Sequence, residues 1–153
     1  MDLTGWSLQY TSAAGDSWDF TSQPIGGFIE PGQYYLIALA GGATGANLPA
    51  ANINGDINMS ATTGKVALVN DFEPLEGQCP LGNVHIVDFV GYGTGATCAE
   101  TANAPAPSNT TAIFRNNGGA SDNDNNQGDF ATATPNPRRT APIVEIGPAV
   151  FRS

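Results

Sequence analysis

Glycine and proline set the first limit on what this chain can fold into. With 19 glycines and 11 prolines spread through 153 residues, no window of about 11 or more residues carries the apolar spacing of an amphipathic helix. The stretches between these breakers are short and β-like. Trp6-Ser7-Leu8-Gln9-Tyr10 alternates apolar and polar side chains, and Asp16 to Phe20, after a glycine turn, reads as its hairpin partner. A Pro31-Gly32 turn precedes Tyr34-Tyr35-Leu36-Ile37-Ala38, an apolar run expected to form a buried strand.

Further strands are expected at Ile57–Ser60, Gly64–Asn70, Ile86–Tyr92 and Thr110–Arg115, with residues 40–55 as a Gly/Ala/Asn-rich loop. Ala102–Asn109 reads as an ordered crossover. Short strands at close intervals with turn residues between them predict an all-β sandwich. The length is about one domain's worth. Residues 1–139 form the expected domain, and 140–153 a tail. Met1-Asp2-Leu3 leads at once into the first strand, with no charged-then-apolar leader, as expected for a piece of a longer chain.

Charge excludes several functions. Only 12% of residues are charged, about half the usual share. The net charge is −9, with Lys65 the single lysine and Arg138–Arg139 the only paired cations. Phosphate binding draws its affinity from clustered cations, so nucleic acid and anionic lipid are poor partners for this domain. No stretch reaches the roughly 18–20 apolar residues of a membrane span. Cys79 and Cys98 are either a local disulfide, contributing about 3 kcal/mol by the chain-entropy model, or two reduced, buried thiols. The charge-poor Asn/Gly/Thr-rich composition fits an exported protein.

Motifs for catalysis are missing from the sequence. A Ser–His–Asp triad needs a histidine base, and His85 is the only one. Asp88, three residues further along the same strand, would point to the opposite face. Cys79, Cys98 and His85 lack zinc-site spacing. Gly91-Tyr92-Gly93-Thr94-Gly95 follows a strand without opening a helix, so it reads as a turn and not a phosphate loop. Glu30, Glu73, Glu76 and Glu100 could pair only in space, and each reads as a solvated loop carboxylate.

The segment Ser121–Phe130, SDNDNNQGDF, concentrates oxygen ligands. An EF-hand loop beginning at Asp122 would place Asp124 and Asn126 at its third and fifth positions. Its sixth position would then be Gln127, where glycine is required, and its twelfth Ala133, where a bidentate glutamate is required. Two readings remain. One is a looser calcium site on Asp122, Asp124 and Asp129; the other is a set of Asx turns in which Asn and Asp side chains satisfy nearby backbone amides.

The order of motifs resembles the bacterial branch of the lamin-tail domain family over residues 2–139. The matching stretches are Asp2-Leu3-Thr4-Gly5-Trp6, Gly32–Ile37, Gly64–Asn70, Val87–Gly93, Pro107–Thr111 with Arg115, Asp122–Phe130 and Thr134–Arg138. The resemblance implies an immunoglobulin-like β-sandwich and a non-catalytic module of an extracellular or cell-surface protein, without cofactor. Such modules stand beside nuclease or phosphatase domains and bind protein or surface partners. A calcium-dependent adhesion or carbohydrate-binding module is the alternative. The resemblance also implies that Cys79 and Cys98 are disulfide-bonded. Family members begin with two further strands that this sequence lacks, which predicts an open sheet edge. Ile143-Val144-Glu145-Ile146-Gly147 has the pattern of a replacement strand, filling that edge within the chain or across a homodimer.

Overall fold

The computed structural model describes residues 1–41 and 47–142. Among these residues eight strands are formed: β1 (Trp6–Thr11), β2 (Ser22–Ile25), β3 (Ile37–Ala38), β4 (Ile53–Asn54), β5 (Gly64–Val69), β6 (Ile86–Tyr92), β7 (Ala112–Arg115) and β8 (Phe130–Ala133). A 3₁₀ turn at Asn117–Gly119 and one helical turn, α1 (Asn126–Asp129), connect the last two. The chain is all-β. Its centre is an antiparallel sheet in the order β2-β1-β5-β6, joined by two small ladders, β3-β4 and β7-β8.

Register assigns each side chain of the central sheet to a face, because directly opposed residues share one. Ser7, Gln9 and Thr11 of β1 stand opposite Val69, Ala67 and Lys65 of β5. Ala67 and Lys65 in turn stand opposite Phe89 and Gly91 of β6. Trp18, Leu75 and Cys98 pack over Ala67, Val69 and Phe89 on this face. Full burial of each large apolar side chain contributes roughly 2 kcal/mol. Trp18, fully buried, meets Phe89 with ring centroids 6.1 Å apart.

The cover on this face is made of loops, and loops carry unpaired peptide groups into the interior. The sheet answers with buried polar side chains. The Ser7 hydroxyl donates to the Asp71 carbonyl at 2.6 Å, and the Gln9 amide donates to the Glu73 carbonyl at 3.0 Å. Gln9 Oε1 accepts the Leu75 N–H at 2.9 Å. The Thr11 hydroxyl donates to Ser17 O, and Trp18 Nε1 to Gly77 O. Lys65 is fully buried, and its three ammonium protons go to Gly15 O (2.6 Å), Gln78 O (2.8 Å) and Thr97 Oγ1 (3.2 Å). Burial pulls its pKa down, against the opposing pull of Asp16. Gln78 and Thr97 each precede a cysteine of the Cys79–Cys98 disulfide, so one ammonium and one covalent bond clamp the same two segments. Gly91 permits this closeness, since a Cβ there would overlap the Cys98 carbonyl.

The opposite face carries Tyr10, Val66, Val90 and Tyr92, packed against Leu39, Ile57, Met59, Ala104, Ile113 and Phe130. Residues 57–60, expected as a strand, join no ladder. Two tyrosine hydroxyls hold the end of this segment: Ser60 N donates to Tyr10, and Tyr92 donates to Ser60 O.

The partner of β1 also differs from expectation. Asp16–Phe20 does not pair with it; Ser22–Ile25 does. Trp18 must reach beneath the sheet to be buried, which takes residues 16–20 out of the sheet plane. The run Tyr34–Ala38 contributes only the two-residue, half-buried β3. Among the described residues the other two sheets have two strands each. Residues 143–147, the expected replacement strand, lie outside the described residues.

Gln9 tests the loop-tying arrangement. Gln9→Ala leaves the Leu75 N–H and the Glu73 carbonyl without partners and should cost about 2–3 kcal/mol in urea unfolding, with the native circular dichroism retained.

Candidate functional site

The acidic segment folds around one carboxylate. Asp129, buried at the end of α1, accepts hydrogen bonds from Asn123 N (2.8 Å), Asn123 Nδ2 (2.7 Å) and Asn125 N (3.2 Å). The Asn123 backbone bond, followed by its side-chain bond, holds the Asp129 carboxyl below the ordinary aspartate range. Asp124 is exposed in a left-handed conformation at φ 51°. Asp122 turns the other way, and its carboxylate meets Arg115 Nη1 at 2.9 Å. The structure therefore sends Asp122, Asp124 and Asp129 to three different environments.

Arg115, at the end of β7, organises the charges nearby. Its Nη2 lies 2.6 Å from Asp88 Oδ2, its Nη1 donates to Ser121 O, and its guanidinium stacks 4.7 Å from the Phe130 ring centroid. Among the described residues, three potential metal-ligand oxygens converge from Asp88, Glu100 and Asp122, all within 4.8 Å of one another. The Arg115 cation already contacts two of these three carboxylates. Burial raises the Glu100 pKa, and Asp88 pushes it further; the Asn126 hydrogen bond opposes them, while Asp122 and Asp124 add to the rise.

Asn126 joins this cluster to the sheet. It is fully buried, and its side-chain amide imitates a peptide unit: Oδ1 accepts the Gly91 N–H at 2.9 Å while Nδ2 donates to Phe89 O at 3.0 Å. These are the two groups on β6 that one residue of a parallel neighbour would engage. The same amide accepts from Glu100 N and donates to Glu100 Oε2. Ala104 fills the next position along the edge, with its N–H to Gly91 O and its carbonyl accepting Gly93 N–H. The outer edge of β6 is thus filled from within the chain, and β2, on the other side of the sheet, carries Pro24, which has no N–H to offer.

A second feature is apolar. Met59, Val66, Val90, Tyr92, Ile113 and Phe130 line an open groove of about 390 Å³ between the central sheet and the β7-β8 hairpin. Ser108 and Thr111 supply hydroxyls at its rim.

The other sequence candidates scatter. His85 faces Asn70 (Nδ1 to Oδ1, 3.0 Å) and Asp71 (3.7 Å), while Asp88 pairs with Arg115. Glu30, Glu73 and Glu76 are exposed. Cys79 and Cys98 are joined, closing a loop over a separation of 19 residues. From the sequence, Asn126 appeared only as a candidate loop ligand, and Arg115, Lys65 and Gln9 carried no assigned contact. Only Asp88 gave a signal, as a carboxylate within an apolar strand that needs a cation beside it. No described helix is long and apolar enough to cross a membrane. The chain matches no protein-family model, no curated protein and no solved structure.

Two substitutions probe the cluster. Asn126→Ala strips partners from Phe89 O, Gly91 N and Glu100 N, and should lower unfolding free energy by roughly 2–4 kcal/mol. Glu100→Gln should act through pH. An acid whose pKa is raised on folding is penalised as pH rises above its unfolded value, near 4.5. The variant should therefore melt higher than the parent at pH 7, with the difference vanishing below about pH 4.

Proposed function

We propose that this chain is a non-catalytic interaction or structural module of a secreted or surface bacterial protein, built as an immunoglobulin-like sandwich of the lamin-tail kind. In its full-length setting it would accompany a catalytic domain such as a nuclease or phosphatase. The observation that carries this reading is the open apolar groove beside the β7-β8 hairpin. A soluble domain exposes such a surface where it meets something else.

Two further observations support it. The side chains with chemical potential are already engaged: Lys65 by two carbonyls and a hydroxyl, Arg115 by Asp88 and Asp122, and Asp129 by amides. The disulfide accords with an oxidising compartment. A net charge of −9 favours protein or cell-surface partners over nucleic acid. Dimerisation by edge pairing draws less support, since Asn126 and Ala104 fill the β6 edge.

A calcium-dependent adhesion or carbohydrate-binding module is the second reading, favoured by the convergence of Asp88, Glu100 and Asp122. Arg115 weighs against it, because it supplies positive charge where the metal would sit.

One experiment separates the two. Saturable binding to envelopes of the source bacterium is expected, and Ala61→Arg, at an exposed residue of the groove lining, should weaken it by about tenfold, a loss of ~1.4 kcal/mol, at unchanged melting temperature. Millimolar calcium should leave the melting temperature where it is, since a ligand specific to the folded state would raise it. Groove-independent binding together with a calcium-induced rise would favour the second reading.

A further inference from the structure

The sequence contains two Asn-Gly pairs, Asn54-Gly55 and Asn117-Gly118. Asn-Gly is the dipeptide in which a side-chain amide is most open to attack by the next backbone nitrogen, because glycine adds no side chain to hinder it. The fold treats the two pairs in opposite ways.

Asn54 lies in β4, paired with Ala38 of β3. The Gly55 nitrogen, which would have to attack, donates to the Ala38 carbonyl at 2.8 Å. Gly55 is also tightly enclosed: a Cβ there would overlap the Gln23 side chain and lie 3.1 Å from Leu39 Cδ2. Reaction at Asn54 therefore requires the β3-β4 ladder to open first.

Asn117 sits in the exposed turn after β7, in a left-handed conformation at φ 54°, followed by Gly118 at φ 68° and Gly119 at φ 101°. Both glycines have open space where a Cβ would be. The bonds holding the turn are donated by Gly119 N and Ser121 N to Asn116 O, and by Ala120 N to Asn117 O. The nitrogen that must attack is not one of those donors. The Asn117 side-chain amide donates to Ser121 Oγ at 2.7 Å, so a hydroxyl stands beside the group that would leave.

We propose that Asn117 is a site of spontaneous, fold-directed deamidation. The deprotonated Gly118 nitrogen bonds to Asn117 Cγ, and the Cγ–Nδ2 bond breaks. Nδ2 departs as ammonia, taking its proton from the Ser121 hydroxyl or from water. Water then opens the resulting five-membered imide at either carbonyl, giving aspartate or isoaspartate. The net change is amide plus water to acid plus ammonia, with no oxidant or other reactant.

The consequences are local and electrostatic. The formal charge moves from −9 to −10 by one added carboxylate, next to Ser121 and the Arg115–Asp122 pair. Isoaspartate adds a backbone carbon immediately before Gly118. That displaces the Gly118 carbonyl from the Tyr34 hydroxyl, which it accepts from at 3.0 Å and which also carries Arg138. The reaction is thus a clock built into the β7-β8 connection.

The test is ageing of the native, oxidised protein at mildly alkaline pH, with peptide mapping by mass spectrometry and enzymatic methylation of isoaspartate. Native protein should convert at Asn117 faster than at Asn54 by about tenfold or more, because only Asn54 needs local opening. After reduction and denaturation the two should convert at similar rates. Ser121→Ala, at a half-buried position just after the turn, should slow conversion at Asn117 without changing Asn54. Equal native rates at the two sites, or conversion at Asn117 no faster than at asparagines not followed by glycine, would overturn the proposal.

Discussion

The buried hydrogen bonds from Gln9 to the 71–75 loop are the contacts on which the core depends. A sheet packed against a second sheet meets a surface whose peptide groups are already paired. Here one face of β1-β5-β6 meets loops, and each turn of those loops brings carbonyls and amides inward. Ser7, Gln9, Thr11 and Lys65 occupy sheet positions where apolar residues would ordinarily stand, and their polar ends complete the loops. Removing apolar contact is offset by satisfying backbone groups that would otherwise each cost about 1–3 kcal/mol. The disulfide acts on the same cover, and Lys65 binds the residues just before both of its cysteines.

This arrangement explains which parts of the fold were legible in the sequence. Alternation in Trp6–Tyr10 and the apolar runs at 64–70 and 86–92 located β1, β5 and β6 closely, because those strands obey the side-chain period of the pleat. The polar members of β1 fall on the face opposite its apolar ones by the same rule, and they are buried. A period of two assigns residues to faces but cannot say what covers each face. The β1 partner was misplaced for a related reason: Trp18 looks like a strand aromatic, and its burial beneath the sheet is decided by tertiary packing. The short β4 and β8 carry too few residues for any pattern to register.

The acidic segment shows the same limit at the candidate site. Its composition announced Asx chemistry, and Asp129 with its amide donors fulfils that reading. What the composition could not rank was the six Asn and Asp residues among themselves. Asn126 is indistinguishable in sequence from Asn125, yet only its amide takes the place of a strand on the β6 edge. Arg115, distant in sequence from Asp88, closes the charge cluster through the β7-β8 hairpin. With these groups turned inward, the apolar groove is a part of the described surface with unmet contact potential, and the proposed interaction-module reading rests there.

The central claim is that loops, tied by polar sheet residues, form one half of the core. Native-state hydrogen exchange tests it most directly, amide by amide. The Leu75 and Gly77 amides, bonded to Gln9 Oε1 and Asp16 O, should exchange only through global unfolding, with the same protection as Ala67 and Val90 in β5 and β6. Exchange of Leu75 and Gly77 at the rate of an exposed loop, while Ala67 and Val90 stay protected, would contradict it.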